Sequence, residues 1–349
     1  MGVSKADLKD NRGAIADYTK AIEIDPDFAD AFYKRGASKA RLEDVRGAIA
    51  DYTKAIEIDP DFADAYFNRA IAKHDLEDYK GAIADYTKAI EIDPDDAYDA
   101  FAYYNRGFSK ADLKDYRGAI ADYTKVIEII PDFANAYYNR GRIKKANLED
   151  YRGAIADLTK AIEIDPNDAA FYFIRAMAKN NLEDYRGAIA DLTKVIEIDP
   201  TDVSAYFNRG YSKRTIKDYR GAIADLTKAI DIDPNEAAFY FIRAMAKNNL
   251  EDYRGAVADY TKVIKIDPNR ADAYYFRGLV KWDLEDYRGE IADLTKAIEL
   301  ETSNEAKAYF LRGIAKNVLG QLDSGCLDLS KAGELGFGQA YEVIKEKCN

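Results

Sequence analysis

The chain has 349 residues, 48% of them apolar and 33% charged, a balance that suits a folded protein and excludes a disordered one. Its net charge of −12 opposes a phosphate backbone, so nucleic acid is not an expected partner. One histidine and two cysteines leave no material for a His-rich metal site, a four-cysteine zinc site or a disulfide framework, and no cofactor is expected.

No stretch approaches eighteen uninterrupted apolar residues, so no membrane insertion is expected. The opening MGVSKADLKD lacks a basic start followed by an apolar core, and Ala6 stands where myristoylation needs Ser or Thr. A cytoplasmic location follows as the expectation.

The eight prolines stand at 26, 60, 94, 131, 166, 200, 234 and 268, so seven gaps of 34, 34, 37, 35, 34, 34 and 34 residues separate them. The sixteen glycines before residue 320 fall into only two places of that period. One period governs the chain, which makes it a repeat array rather than a string of domains. In chain order the reading is a truncated first repeat at 1–28, then eight repeats at 29–62, 63–96, 100–133, 134–168, 169–202, 203–236, 237–270 and 271–304. A divergent ninth follows at 305–336, and 337–349 closes the chain with an amphipathic capping helix, Gln339 to Lys347.

Residues 29–62 show the anatomy of one repeat. Ala31, Phe32, Gly36 and Leu42 share one helical stripe; Ala48, Ile49, Tyr52, Ala55, Ile56 and Ile58 form a second. Asp44 is placed to cap the second helix, Pro60 to end it, and the small Gly36 and Ala48 to let the two backbones approach. The pattern departs from regularity in four places. The chain opens inside a first helix, with Met1 in the place of an arginine, so an upstream segment is expected. Ala97 to Asp99 are read as lengthening the junction after Pro94. One extra residue between Gly141 and Leu148 needs a π-bulge or a longer turn. Glu290 replaces a small Ala and Thr302 replaces a Pro, which predicts looser packing.

A 34-residue period with small residues at the eighth and twentieth places, an aromatic at the twenty-fourth, a small residue or Val at the twenty-seventh and Pro at the thirty-second resembles the tetratricopeptide repeat. Gly36, Ala48, Tyr52, Ala55 and Pro60 carry that pattern, and it covers residues 1 to about 335. The resemblance implies an all-α, right-handed α-solenoid whose first helices line a concave groove for a peptide or partner protein. It implies no catalysis, and the sequence offers no nucleophile or acid–base arrangement to add one.

An arginine occupies the seventh place of every complete repeat, from Arg35 to Arg312, and in most a lysine follows four residues later. An aspartate recurs before the second helix's aromatic or Leu, from Asp51 to Asp293. A ladder of Arg–Asp pairs between the two helices is the favoured reading, because a buried unpaired arginine is costly; a cationic strip for an acidic ligand is the alternative.

In the family, the second, fifth, sixth, ninth, twelfth and thirteenth places of the first helix face the groove. Those places nominate Phe67, Tyr104, Tyr138 and Phe207 at the fifth, and Asn68, Asn105, Asn139 and Asn208 at the sixth. The asparagines are similar to the ladder in the repeat arm of O-linked N-acetylglucosamine transferases, which holds an extended peptide backbone. Lys34, Ile174, Ile242, Phe276 and Leu311 interrupt it. Met177, Met245, Phe276 and Trp282 make the second half apolar, which suits a partner helix. The Lys and Asn of the carboxylate-clamp subclass are missing, since aromatics hold the fifth place and Ala37, Ile71, Phe108 or Met177 the ninth.

Cys326 and Cys348 are read as free thiols and His74 as a solvated histidine. The acidic turns lack the pattern of a calcium loop, and Gly333, Gly336 and Gly338 form a turn. The expectation is a non-catalytic scaffold, monomeric, binding a protein or peptide in its groove. Two alternatives stand beside it: the recognition arm of a larger enzyme, and a protein that self-assembles through its open N-terminal end.

Overall fold

A computed structural model describes residues 5–93 and 97–348; Pro94 lies outside them. Every element among the described residues is a helix. The chain forms two compact bodies, residues up to Ala178 and residues from Lys179 onward. The N-terminal body holds α1 (Lys5–Ile24), α2 (Ala29–Arg41), α3 (Val45–Ile58), α4 (Ala63–Asp75), α5 (Tyr79–Ile92), α6 (Ala97–Asp112), α7 (Tyr116–Ile129), α8 (Ala134–Asn147) and α9 (Tyr151–Ile164), and most of α10 (Ala169–Asn181). The C-terminal body holds α11 (Tyr185–Ile198), α12 (Val203–Thr215), α13 (Tyr219–Ile232), α14 (Ala237–Asn249), α15 (Tyr253–Ile266), α16 (Ala271–Asp283), α17 (Tyr287–Glu299), α18 (Glu305–Val318), α19 (Leu322–Glu334) and α20 (Gln339–Lys347).

The turn inside each repeat explains one of the two glycine places. After α2 the chain reverses through Glu43 in the left-handed region, at φ 64°, and Asp44 then accepts a hydrogen bond from the Gly47 N–H at 3.0 Å. A Cβ on Gly47 would lie 2.1 Å from that capping carboxylate, so only glycine leaves the cap in place. The same Asp–Gly bond recurs from Asp78 through Asp286. The other glycine place serves packing: a Cβ on Gly36 would meet the Tyr52 ring at 2.9 Å. Ala48, Tyr52 and Ala55 are buried, as are their counterparts in later repeats, and Leu158, Leu192, Leu226 or Leu294 takes the aromatic's place.

Successive first helices pack directly against each other, α2 on α4 and α4 on α6 in one body, α12 on α14 in the other. Second helices do so less. Within each body the first helices therefore lie on the inside of the stack.

The irregularities are absorbed in specific ways. Before the first complete repeat, α1 runs unbroken from Lys5 to Ile24, through the place where later repeats turn. A Cβ on Gly13 would meet nothing within 4 Å, unlike its counterparts beside an aspartate. Residues 97–99 do not lengthen a loop but begin α6, which has 16 residues where most first helices have 13. The extra residue after Gly141 lengthens the turn, where Asp150 N–H reaches back to the Lys144 carbonyl, six residues away instead of five. Around Glu290 the repeat stays closely packed, with Glu290, Leu294 and Ala297 all fully buried. Cys326 and Cys348 are not free thiols; they form a disulfide that ties α19 to the residue after α20. Their Cα atoms stand 5.8 Å apart because α20 folds back as the cap over α19. No helix is long and apolar enough to cross a membrane among the described residues.

Candidate functional site

The recurrent arginine is a structural staple. In the N-terminal body Arg35, Arg69, Arg106 and Arg140 grip Asp51, Asp85, Asp122 and Asp157 through Nη2 at 2.6–2.8 Å, with Nε on the second oxygen. In the C-terminal body Arg209, Arg243, Arg277 and Arg312 do the same to Asp225, Asp259, Asp293 and Asp328. The lysine one turn along joins each aspartate, as Lys39 does Asp51 at 2.7 Å. The third guanidinium nitrogen donates to a threonine on the preceding second helix: Thr19 for Arg35 and Thr193 for Arg209. That threonine in turn donates to a carbonyl four residues back. An aromatic three residues before the arginine lies under its charge, as Tyr206 does at 5.7 Å from Arg209. One residue thus links three helices. These arginine side chains are only 13–16% exposed, so they form no cationic strip for a ligand.

The inner face of the first helices carries the nominated site residues. In the N-terminal body Phe67 is buried edge-on against Tyr86, and Tyr104 packs on Tyr123 and Phe133. Asn68 Nδ2 donates to the Tyr33 hydroxyl at 3.0 Å and to the Asp64 carbonyl; Asn139 Nδ2 donates to the Tyr104 hydroxyl at 2.8 Å. These asparagines stitch neighbouring first helices through tyrosines. Burial raises the pKa of Tyr33 and Tyr104, with the Asp64 carboxylate adding to the effect at Tyr33. Asn105 lines a 240 Å³ pocket with Ile71, His74, Asp75, Tyr86 and Phe108. His74 is half-buried rather than freely solvated: Nδ1 lies 2.9 Å from Ser109 Oγ, and the ring sits between Tyr79 and Phe108. Tyr138 packs on Phe171, and Met177 is half-buried.

The C-terminal body brings Phe207 and Asn208 together in a 260 Å³ pocket, closed by Tyr211, Ala238, Phe241, Ile242 and Arg270. These are the fifth, sixth and ninth places of α12 and the second, fifth and sixth of α14, so groove places converge on one cavity. Asn208 Nδ2 is held by the Ser204 carbonyl at 2.8 Å. Arg270 lies 4.2 Å from the centre of the Phe241 ring and bonds Asp272 at 2.9 Å. Met245 sits one turn along α14, 3.9 Å from an Arg214 nitrogen. Phe276 is drawn into packing with Phe241 and Tyr260, and Trp282 packs edge-on against Tyr287. Tyr211, Arg214 and Arg270 went unnoticed in the sequence. Arg270 carried a signal, since its place holds Phe or an acid in the other complete repeats before it. No cluster of three or more potential metal ligands occurs among the described residues.

A stack of helix pairs that stapled its charges internally and left an inner face of aromatics, amides and pockets is a repeat scaffold for protein interaction. Models of the tetratricopeptide repeat match residues 63–96, 100–133, 134–168, 169–202, 203–236 and 271–304, and a TPR repeat model matches 5–43, 40–76 and 246–285. The chain belongs to the tetratricopeptide-repeat family. Among solved structures it is similar to the C-terminal part of a TPR repeat-containing protein from Cytophaga hutchinsonii, at 18% identity and a TM-score of 0.58, covering 69% of this chain and 97% of that one. A tetratricopeptide repeat protein from Parabacteroides merdae gives 18% identity and a TM-score of 0.50 over 72% of this chain and 98% of that one. Both likenesses show the fold. None of the curated proteins matches significantly.

Proposed function

We propose that this protein is a non-catalytic scaffold that binds a peptide or partner helix on the inner face of its first helices. The pocket beside Phe207 and Asn208 carries the reading, because it opens on the face the family uses as its groove and its walls are apolar with few polar groups. Asn68 supports it, as a half-buried carboxamide at the sixth place that can meet a peptide backbone, with its Nδ2 steadied by Tyr33; Asn139, tied to Tyr104, is buried and supports the face from within. Phe67, Tyr104, Tyr138, Met177, Phe276 and Trp282 then shape the face, mostly from beneath.

Site-specific photo-cross-linking in the source cell tests this. A benzoylphenylalanine at Tyr211, 39% exposed on a first helix, should trap a partner, and one at Ile232, 43% exposed on a second helix, should not. Trapping only from Ile232 would move recognition to the outer face and end this reading.

A further inference from the structure

We infer that the C-terminal body holds an anchor site for a peptide carboxylate lying one or two residues from a large apolar side chain, formed by the pocket between α12 and α14 together with Arg214. The inference rests on the groove reading and deepens it by naming the ligand chemistry.

Arg214 is unlike the staple arginines. It stands at the twelfth place of α12, one turn beyond Tyr211, and points along the same inner face. Its guanidinium lies over the Tyr211 ring at 5.5 Å and beside Met245 Sδ at 3.9 Å. Its Nε is buried without a hydrogen-bond partner, and no carboxylate among the described residues pairs with it. The neighbouring acids are engaged: Asp259 by Arg243 and Lys247, Asp272 by Arg270 at 2.9 Å. Of its five donors the Nε hydrogen is buried and Nη1 is turned to Met245 Sδ, so an incoming group is met end-on by the remaining Nη hydrogens. Tyr211 and Met245 strip water from one side of it, so a carboxylate reaching the other side meets a less screened charge and a bidentate geometry.

The pocket supplies the second half of the site. Asn208 Nδ2 is held by the Ser204 carbonyl and Arg270 by Asp272, so the pocket presents chiefly the apolar surface of Phe207, Phe241 and Ile242. Tyr211 belongs to both halves, lining the pocket and lying under Arg214. One helical turn separates them, about 5.4 Å. Residues one apart in an extended peptide are about 3.8 Å apart and residues two apart just under 7 Å. The net charge of −12 favours a basic partner at long range, but at contact distance the free cation selects an acid.

The test is affinity selection from a random twelve-residue peptide library, half of it amidated at the C-terminus and half ending in a free carboxylate. Wild type, Arg214→Gln and, as a control, Arg152→Gln on the exposed side of the second helix α9 are each used as bait. Wild type and the control should enrich peptides with a carboxylate within two places of Phe, Leu, Ile, Met or Trp at least fivefold over input. Arg214→Gln should keep the apolar preference and lose the acidic one, with an unchanged melting temperature. Enrichment in the amidated half assigns the carboxylate to Asp or Glu; enrichment confined to the other half assigns it to the chain terminus. An apolar preference without an acidic one in wild type overturns the inference and leaves the groove reading standing. An acidic preference that survives Arg214→Gln also overturns it. Enrichment of nothing overturns both.

Discussion

Glu290 breaks the pattern of its repeat place, and the structure makes its cost calculable. Its counterparts Ala48, Ala82, Ala119, Ala154, Ala188, Ala222 and Ala256 are fully buried, and Glu290 is 0% exposed as well. Neither carboxylate oxygen has a hydrogen-bond partner. Burial, helped by the nearby Asp283 charge, pushes its pKa up to about 8 from 4.5. The folded protein therefore holds this proton where the unfolded chain has released it. The stability this proton confers is whole below pH 4.5 and drains away as pH rises through about 8. The resulting destabilisation is about 1 kcal/mol at pH 5, about 3 at pH 7 and about 5 at pH 9. Glu290→Ala restores the small side chain and should remove that term. Urea unfolding from pH 5 to pH 9 should show the variant gaining on wild type by about 4 kcal/mol across the range. Hydrogen exchange should place the gain in α16, α17 and α18. Parallel pH profiles for the two proteins would refute the argument.

Other substitutions probe the remaining links. Asp225→Ala leaves Arg209 and Lys213 without their shared carboxylate and should cost about 3–5 kcal/mol in urea unfolding. Thr193→Val removes the bond from the third guanidinium nitrogen together with the threonine's own bond to the Ile189 carbonyl, and should cost about 1–2 kcal/mol by the same assay. Cys326→Ser opens a loop of 22 residues; a loss of about 3 kcal/mol is expected, read as faster hydrogen exchange in α19 and α20 with α12 to α16 unchanged. Glu251→Gly relieves a left-handed backbone at φ 61° and should raise stability by up to about 1 kcal/mol in thermal melts.

What could be read from the residues follows the physics of repetition. The proline and glycine spacing displays the helix pairs because each glycine is forced by a local contact, Gly47 by the Asp44 cap and Gly36 by Tyr52. The Arg–Asp staple was legible because an uncompensated buried charge is so costly that its partner must recur at the same period. Thr19 and its counterparts were not, because a threonine in a helix also bonds its own backbone and shows no preference for a distant arginine. The Cys326–Cys348 bridge escaped for a different reason: it joins the divergent ninth repeat to its cap, for which the period supplies no second copy for comparison. In the candidate site, Phe207, Asn208 and Ile242 were nominated by place alone. Their convergence with Arg270 depends on how α12, α14 and the turn before α16 stack, which no single repeat encodes.

The central claim is that the inner face of the first helices is the binding surface. Hydrogen–deuterium exchange with a peptide selected on the wild-type protein tests it most directly. The account predicts that bound peptide slows exchange in α12 and α14 and leaves α13 and α15 unchanged. Protection confined to α13 and α15, with α12 and α14 exchanging as in the free protein, would contradict it.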